Sequence, residues 1–252
     1  MSARVMWLGL LSLVLPACGG VSGVGSPTSS KPEGVAFEQV KLLIEHNATD
    51  LDTGFQGFVD GDAWKELHVL GPNGQEVLHI QAKGKLRDLG LTELFFESEE
   101  PANAEVPIPD VLANLPEGTY TFKGKMADGG SITGTTTLSH TIPKGPVLTS
   151  PSAAAVINPA GGVVFSWQAV TESLSGGPVN IASYELIVEK DVPEPFPNAF
   201  AAIKLSIHLP PSVTSFTVSS PFFQAATAYK WEVLAIEQNG NQTLSSGAFS
   251  TQ

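Results

Sequence analysis

Cysteine is almost missing from this 252-residue chain, which carries one, Cys18. A single thiol excludes an intramolecular disulfide and any multi-cysteine metal site, so the fold must stand on its packed cores. Basic residues are also few: 13 Lys and Arg against 25 Asp and Glu leave a net charge of −12. A groove that tracks phosphate needs clustered Lys and Arg, so no nucleic acid partner is expected. Long apolar runs are lacking as well, and no stretch reaches the roughly twenty residues that a bilayer core requires. Methionine is scarce, with three residues, while Gly and Pro reach 25 and 19. Such a chain breaks into many turns and short strands, which excludes a helical bundle and points to an all-β fold.

Near the N-terminus, Arg4 precedes the apolar run Val5 to Leu15 and then Pro16, Ala17 and Cys18. The run is too short to span and reads as an export signal over residues 1–17. Leu15-Pro16-Ala17-Cys18 resembles the bacterial lipobox, which implies cleavage before Cys18 and attachment of a lipid to its thiol. Several acyl chains would hold the mature protein on a membrane far more firmly than one. Gly19 follows the cysteine where Asp is absent, and the resemblance then implies the outer membrane if the cell has one. Residues 18–35 are Gly, Ser and Pro with little apolar bulk, the composition of a flexible tether.

The remainder divides near Pro143-Lys144-Gly145-Pro146 into two segments of β-sandwich size, 36–142 and 147–252. In the second, Val163, Phe165 and Trp167 alternate with Val164 and Ser166, and Tyr184, Leu186 and Val188 alternate with Glu185 and Glu189. Asn239-Gly240 marks a hairpin turn. Pro151, Trp167, Tyr184 and the run Thr227-Ala228-Tyr229-Lys230-Trp231-Glu232-Val233-Leu234-Ala235 resemble a fibronectin type III domain. The resemblance implies a seven-stranded sandwich, with Tyr229 as its tyrosine corner, in a class of domain used mostly as spacer and binding platform. In the first segment Val40, Leu42 and Ile44 alternate with Lys41, Leu43 and Glu45. Gly71 to Gln75 is a turn between two strands, and Leu115 to Phe122 has the look of a second tyrosine corner. A second sandwich, immunoglobulin-like in the loose sense, is expected there.

Residues that carry chemistry are sparse. Asp50, Asp52, Asp60 and Asp62 offer carboxylates on what read as neighbouring loops, and calcium takes six to eight oxygens. Their spacing is not that of an EF-hand, and Asp and Gly also build ordinary solvated turns, which is the preferred reading. The five histidines fall on separate expected strands, no two in one short motif, so no histidine metal site is expected. No Gly-x-Ser-x-Gly elbow occurs, and Glu97, Glu99 and Glu100 read as a solvated acidic loop. Candidate partner contacts are aromatic: Phe196 and Phe200 on a proline-rich segment, and Phe55, Phe58 and Trp64 in the first sandwich.

The composite expectation is a lipid-anchored, non-enzymatic binding or scaffolding protein of the cell envelope. Its partners are the membrane, through the lipid, and an envelope protein or glycan; no cofactor is required. The alternatives are a carbohydrate-binding or calcium-stabilised module, marked by an exposed platform at Phe55, Phe58 and Trp64, and a hydrolase assembled from loops, marked by a deep pocket with convergent polar groups.

Overall fold

The computed structural model describes residues 34–191 and 203–252, so Cys18, Phe196 and Phe200 lie outside the described residues. In chain order the elements begin with β1 (Val35–Ala36), β2 (Gln39–Asn47), β3 (Asp52–Leu70), β4 (Glu76–Gln81), the short helix α1 (Lys85–Leu89), β5 (Leu91–Glu97) and the short helix α2 (Ile108–Leu112). They continue with β6 (Gly118–Met126), β7 (Ser131–Leu138), β8 (Leu148–Ser150), β9 (Ala155–Ile157), β10 (Val163–Trp167) and β11 (Ile181–Lys190). The last are β12 (Lys204–Leu209), β13 (Ser215–Val218), β14 (Ala228–Glu237) and β15 (Gln242–Thr251). The fold is all-β.

Side-chain alternation sets which face of each strand is inside. On β10 and β14 the alternate residues Val163, Phe165, Trp167, Tyr229, Trp231, Val233 and Ala235 are all buried, none more than 3% exposed. Burying each large side chain contributes about 1.5–3 kcal/mol over leaving it in water. The strands β13, β10 and β8 form a three-stranded sheet opposite β12, β11, β14 and β15, with β9 added in parallel to the far side of β15. Three strands facing four is the arrangement that the fibronectin type III resemblance implies. Between the layers Phe165 meets Trp231 edge to face at 5.1 Å, Trp167 meets Tyr184 at 5.5 Å, and Tyr229 stacks on Phe249. The Tyr229 hydroxyl accepts the Gln224 N–H at 2.8 Å, closing the corner across the turn that leads into β14.

The first half is organised by β3, whose 19 residues serve two groups of strands. Its first part pairs with β2 and β5, its second with β4 and β6, and the ladder shifts register between Asp60 and Trp64. Leu42 and Ile44 of β2, Phe55, Val59, Trp64, Leu67 and Val69 of β3, and Tyr120 and Phe122 of β6 meet in one cluster. Tyr120 donates its hydroxyl to the Pro116 carbonyl at 2.8 Å, a second tyrosine corner. Gly57 has no side chain because the Phe96 ring lies on its backbone: a Cβ there would stand 2.0 Å from Phe96 Cζ.

This strand corrects the expectation of loops from Asp52 to Trp64, while Asp50 stands in a turn as expected. Phe55 and Trp64 are core residues, with Trp64 wholly buried, so the exposed aromatic platform does not form. Asp60 and Asp62 belong to a strand and not to a turn. Phe58 stays half-buried, with the Lys41 ammonium 5.7 Å above its ring. Asp60-Gly61-Asp62, which suggested a turn, lies within β3, held extended by its pairing with β2 and β5. Helix α1 was not expected from the sequence either.

The two cores are separate clusters, yet one sheet joins them. At its start β15 pairs on one side with β14 and on the other, in parallel, with β2, setting Gln242 opposite Glu45 and Leu244 opposite Asn47. Buried polar side chains brace this seam. Asn241 accepts the Ile44 N–H at 2.9 Å and donates to the carbonyls of Ser139 and Thr141 at 2.8 and 2.9 Å. Thr243 donates to the Pro143 carbonyl at 2.6 Å, and Gln242 donates to the Glu45 carboxylate. Burial drives the Glu45 pKa up to about 7 against the Gln242 hydrogen bond, and the charges of Glu97 and Glu232 push the same way.

Candidate functional site

Period-two alternation in the second part of β3 sends Leu67 and Val69 into the core and turns Glu66 and His68 outward. The turn at Gly71 to Gln75 folds β4 back beside it, and the register sets His79 directly opposite His68 and Gln81 opposite Glu66. On the other flank β6 brings Lys123 opposite His68 and Lys125 opposite Glu66. One further residue arrives by irregularity. The ladder skips Val77, so that Glu76 faces Leu70, and this bulge carries the Glu76 carboxylate onto the histidine face.

The result is a compact group of charged and imidazole side chains. His68 and His79 stack with ring centroids 4.0 Å apart and planes inclined by 18°. Glu66 Oε1 lies 3.0 Å from His68 Nε2 and 3.6 Å from His79 Nε2, and its Oε2 is 3.2 Å from Lys125 Nζ. His68 Nδ1 reaches Glu76 Oε2 at 2.5 Å. The Glu76 and Glu66 carboxylates raise the His68 pKa above its ordinary value, and the hydrogen bonds from His68 and then Lys125 lower that of Glu66. A shallow hollow of about 280 Å³ adjoins the group, shares Glu66 and Lys125 with it, and is lined further by Lys65 and Arg87.

This corrects the expectation that the histidines stay apart. The other three do not join: His46 is buried against Thr53 and the Asp52 carbonyl, His140 bonds the Leu115 carbonyl, and His208 faces Glu185. Among the described residues, two groups of potential ligands converge, Glu66 with His68 and His79, and Glu45 with Glu97 and Glu100. None of the four aspartates takes part. Asp50 is exposed in the turn before β3, where its carboxylate accepts from Asn47. Asp52 opens β3, its pKa raised by burial and by Asp50, and eight residues of strand, roughly 26 Å, separate it from Asp60.

The fold and this face define an all-β chain with two apolar cores and a histidine–carboxylate group on its first half. No protein-family model matches the chain, and no curated protein matches it. Among solved structures the chain is similar to the FN1-FN3 domains of chicken CNTN1, with 13% identity, a TM-score of 0.33, and coverage of 87% of this chain and 68% of that one. It is also similar to a tetra-tandem repeat in the extending region of a large adhesion protein, with 10% identity, a TM-score of 0.28 and 83% of this chain covered. The chain spans 50% of the length of that repeat protein. Among the described residues no helix is long and apolar enough to cross a membrane.

Proposed function

We propose that the protein is a non-enzymatic binding and scaffolding module of the cell envelope, tethered by a lipid on Cys18 and holding two sandwich domains, 36–142 and 147–252, in fixed register. The observation that carries the scaffolding half of this reading is the seam between β2 and β15. A flexible two-domain chain joins its parts through a solvated linker, whereas here a strand ladder and the buried side chains of Asn241, Gln242 and Thr243 tie them. A joint of this kind transmits position and force from an anchored end to the far sandwich. The anchoring half rests on Leu15-Pro16-Ala17-Cys18 and the Gly/Ser-rich segment after it. In this reading Phe196 and Phe200, on their proline-rich segment, are the contacts offered to an envelope protein or glycan.

The test is metabolic labelling with radioactive palmitate in a bacterial host, followed by membrane fractionation. The wild-type chain should take up label and sediment with membranes, and Cys18→Ala should lose both properties. A wild-type chain without label, or a Cys18→Ala chain that is processed and sediments as wild type does, refutes the anchor.

A further inference from the structure

We propose that Glu66, His68 and His79 together bind one divalent first-row transition ion of the zinc class, through Glu66 Oε1 and the imidazole nitrogens, leaving a fourth position for water or a partner's ligand. The geometry is close to what the ion demands. Zinc bonds nitrogen and oxygen at about 2.0–2.2 Å, so the edges of its tetrahedron are roughly 3.3–3.6 Å. The two edges that meet at Glu66 Oε1 measure 3.0 and 3.6 Å, and one ligand atom from each of the three residues lies within 4.8 Å of the other two. In the stack the two in-plane lone pairs run nearly parallel, so chelation turns at least one ring out of the stack about χ2.

One further feature favours a metal over a plain ion-pair cluster. The surrounding groups have the form that metal sites use: Glu76 fixes the His68 ring through Nδ1, which leaves Nε2 toward Glu66, and Lys125 steadies the second oxygen of Glu66. A carboxylate behind a ligating histidine sets its tautomer and orientation. Two imidazoles and one carboxylate select a zinc-class ion over calcium or magnesium, which prefer all-oxygen sites. This inference is independent of the lipid anchor, since all the residues involved lie on β3, β4 and β6.

Calorimetric titration of the full chain in detergent with zinc chloride, after chelator treatment, tests it. The wild type should bind one ion, and His68→Ala and His79→Ala should each weaken binding at least tenfold. Glu76→Gln should weaken it about 10–100-fold, as loss of an outer-shell partner does, with the stoichiometry still one. His208→Ala, far along the chain on β12, should bind as the wild type does. Thermal melts in chelator guard against misfolding, because these outward-facing side chains should leave the melting temperature nearly unchanged. Absence of zinc binding by the wild type up to about 1 mM, or full affinity in His79→Ala, overturns the proposal.

Discussion

Replacing Asn241 with Ala removes one side chain that serves several polar groups of the first half. The Ile44 N–H loses its acceptor inside the seam, and the carbonyls of Ser139 and Thr141 lose their donors. A fully buried donor left unpaired costs about 1–3 kcal/mol, while the two half-buried carbonyls can recruit water and should cost less, for a total of about 3 kcal/mol. The loss falls on the seam, since Asn241 belongs to neither apolar cluster. Urea unfolding followed by hydrogen exchange and mass spectrometry should therefore show two changes. The global midpoint should drop, and amides of Gln39–Asn47 and of the first residues of β15 should open separately from both cores. Asn241→Asp should be at least as damaging, because it keeps an acceptor for Ile44 but sets a carboxylate against two carbonyls. A midpoint within about 0.5 kcal/mol of wild type, the range of an ordinary surface change, would refute the assignment of the seam to this side chain.

Glu45→Gln should change how stability depends on pH. The folded carboxyl titrates near 7 and the unfolded one near its ordinary value of 4.5, so its contribution is fully present below pH 4.5 and is lost as pH rises through 7. The variant keeps an acceptor for Gln242, and should be the more stable protein above pH 7, by up to about 3 kcal/mol, with a flatter profile; superimposable denaturation curves across pH 4.5–8 would count against it. Trp167→Ala should cost about 3–5 kcal/mol, the range for deleting a large core aromatic, and Tyr229→Phe only about 1 kcal/mol, as read from denaturant midpoints of the full chain. A Trp167→Ala midpoint equal to wild type would contradict its place between the layers.

Alternation was enough to recover most of the second half. Val163, Phe165 and Trp167, and the alternate residues from Tyr229 to Ala235, have their inward faces written residue by residue, although Leu234 on the other face of β14 is buried too. The path of β3 was not legible, because Asp60-Gly61-Asp62 looks like turn chemistry to any local rule. Only the long-range partners of the strand, β2, β5, β4 and β6, hold it extended. The histidine pair is an intermediate case. His68 stands five residues before Asn73 and His79 five after Gly74, so counting outward from that dipeptide would have set them opposite each other. Glu76 could not have been placed the same way, since a bulge changes its face and no composition signal announces it. The seam was hidden for another reason: Asn241-Gln242-Thr243 resembles any polar stretch after a turn until the partner strand, 197 residues away for the Asn241 to Ile44 bond, is known.

That separation bears on the order in which the molecule can assemble. During synthesis, β2 emerges with one neighbour, β3, available soon afterwards, while the other side of the strand stays an open edge until β15 arrives. An unpaired edge is a template for wrong pairing with other chains, and closing so long a loop is slow compared with forming local hairpins. Glu45, His46 and Asn47 stand on the stretch of β2 that β15 covers, and polar and charged side chains on an edge are the kind that disfavour such wrong pairing.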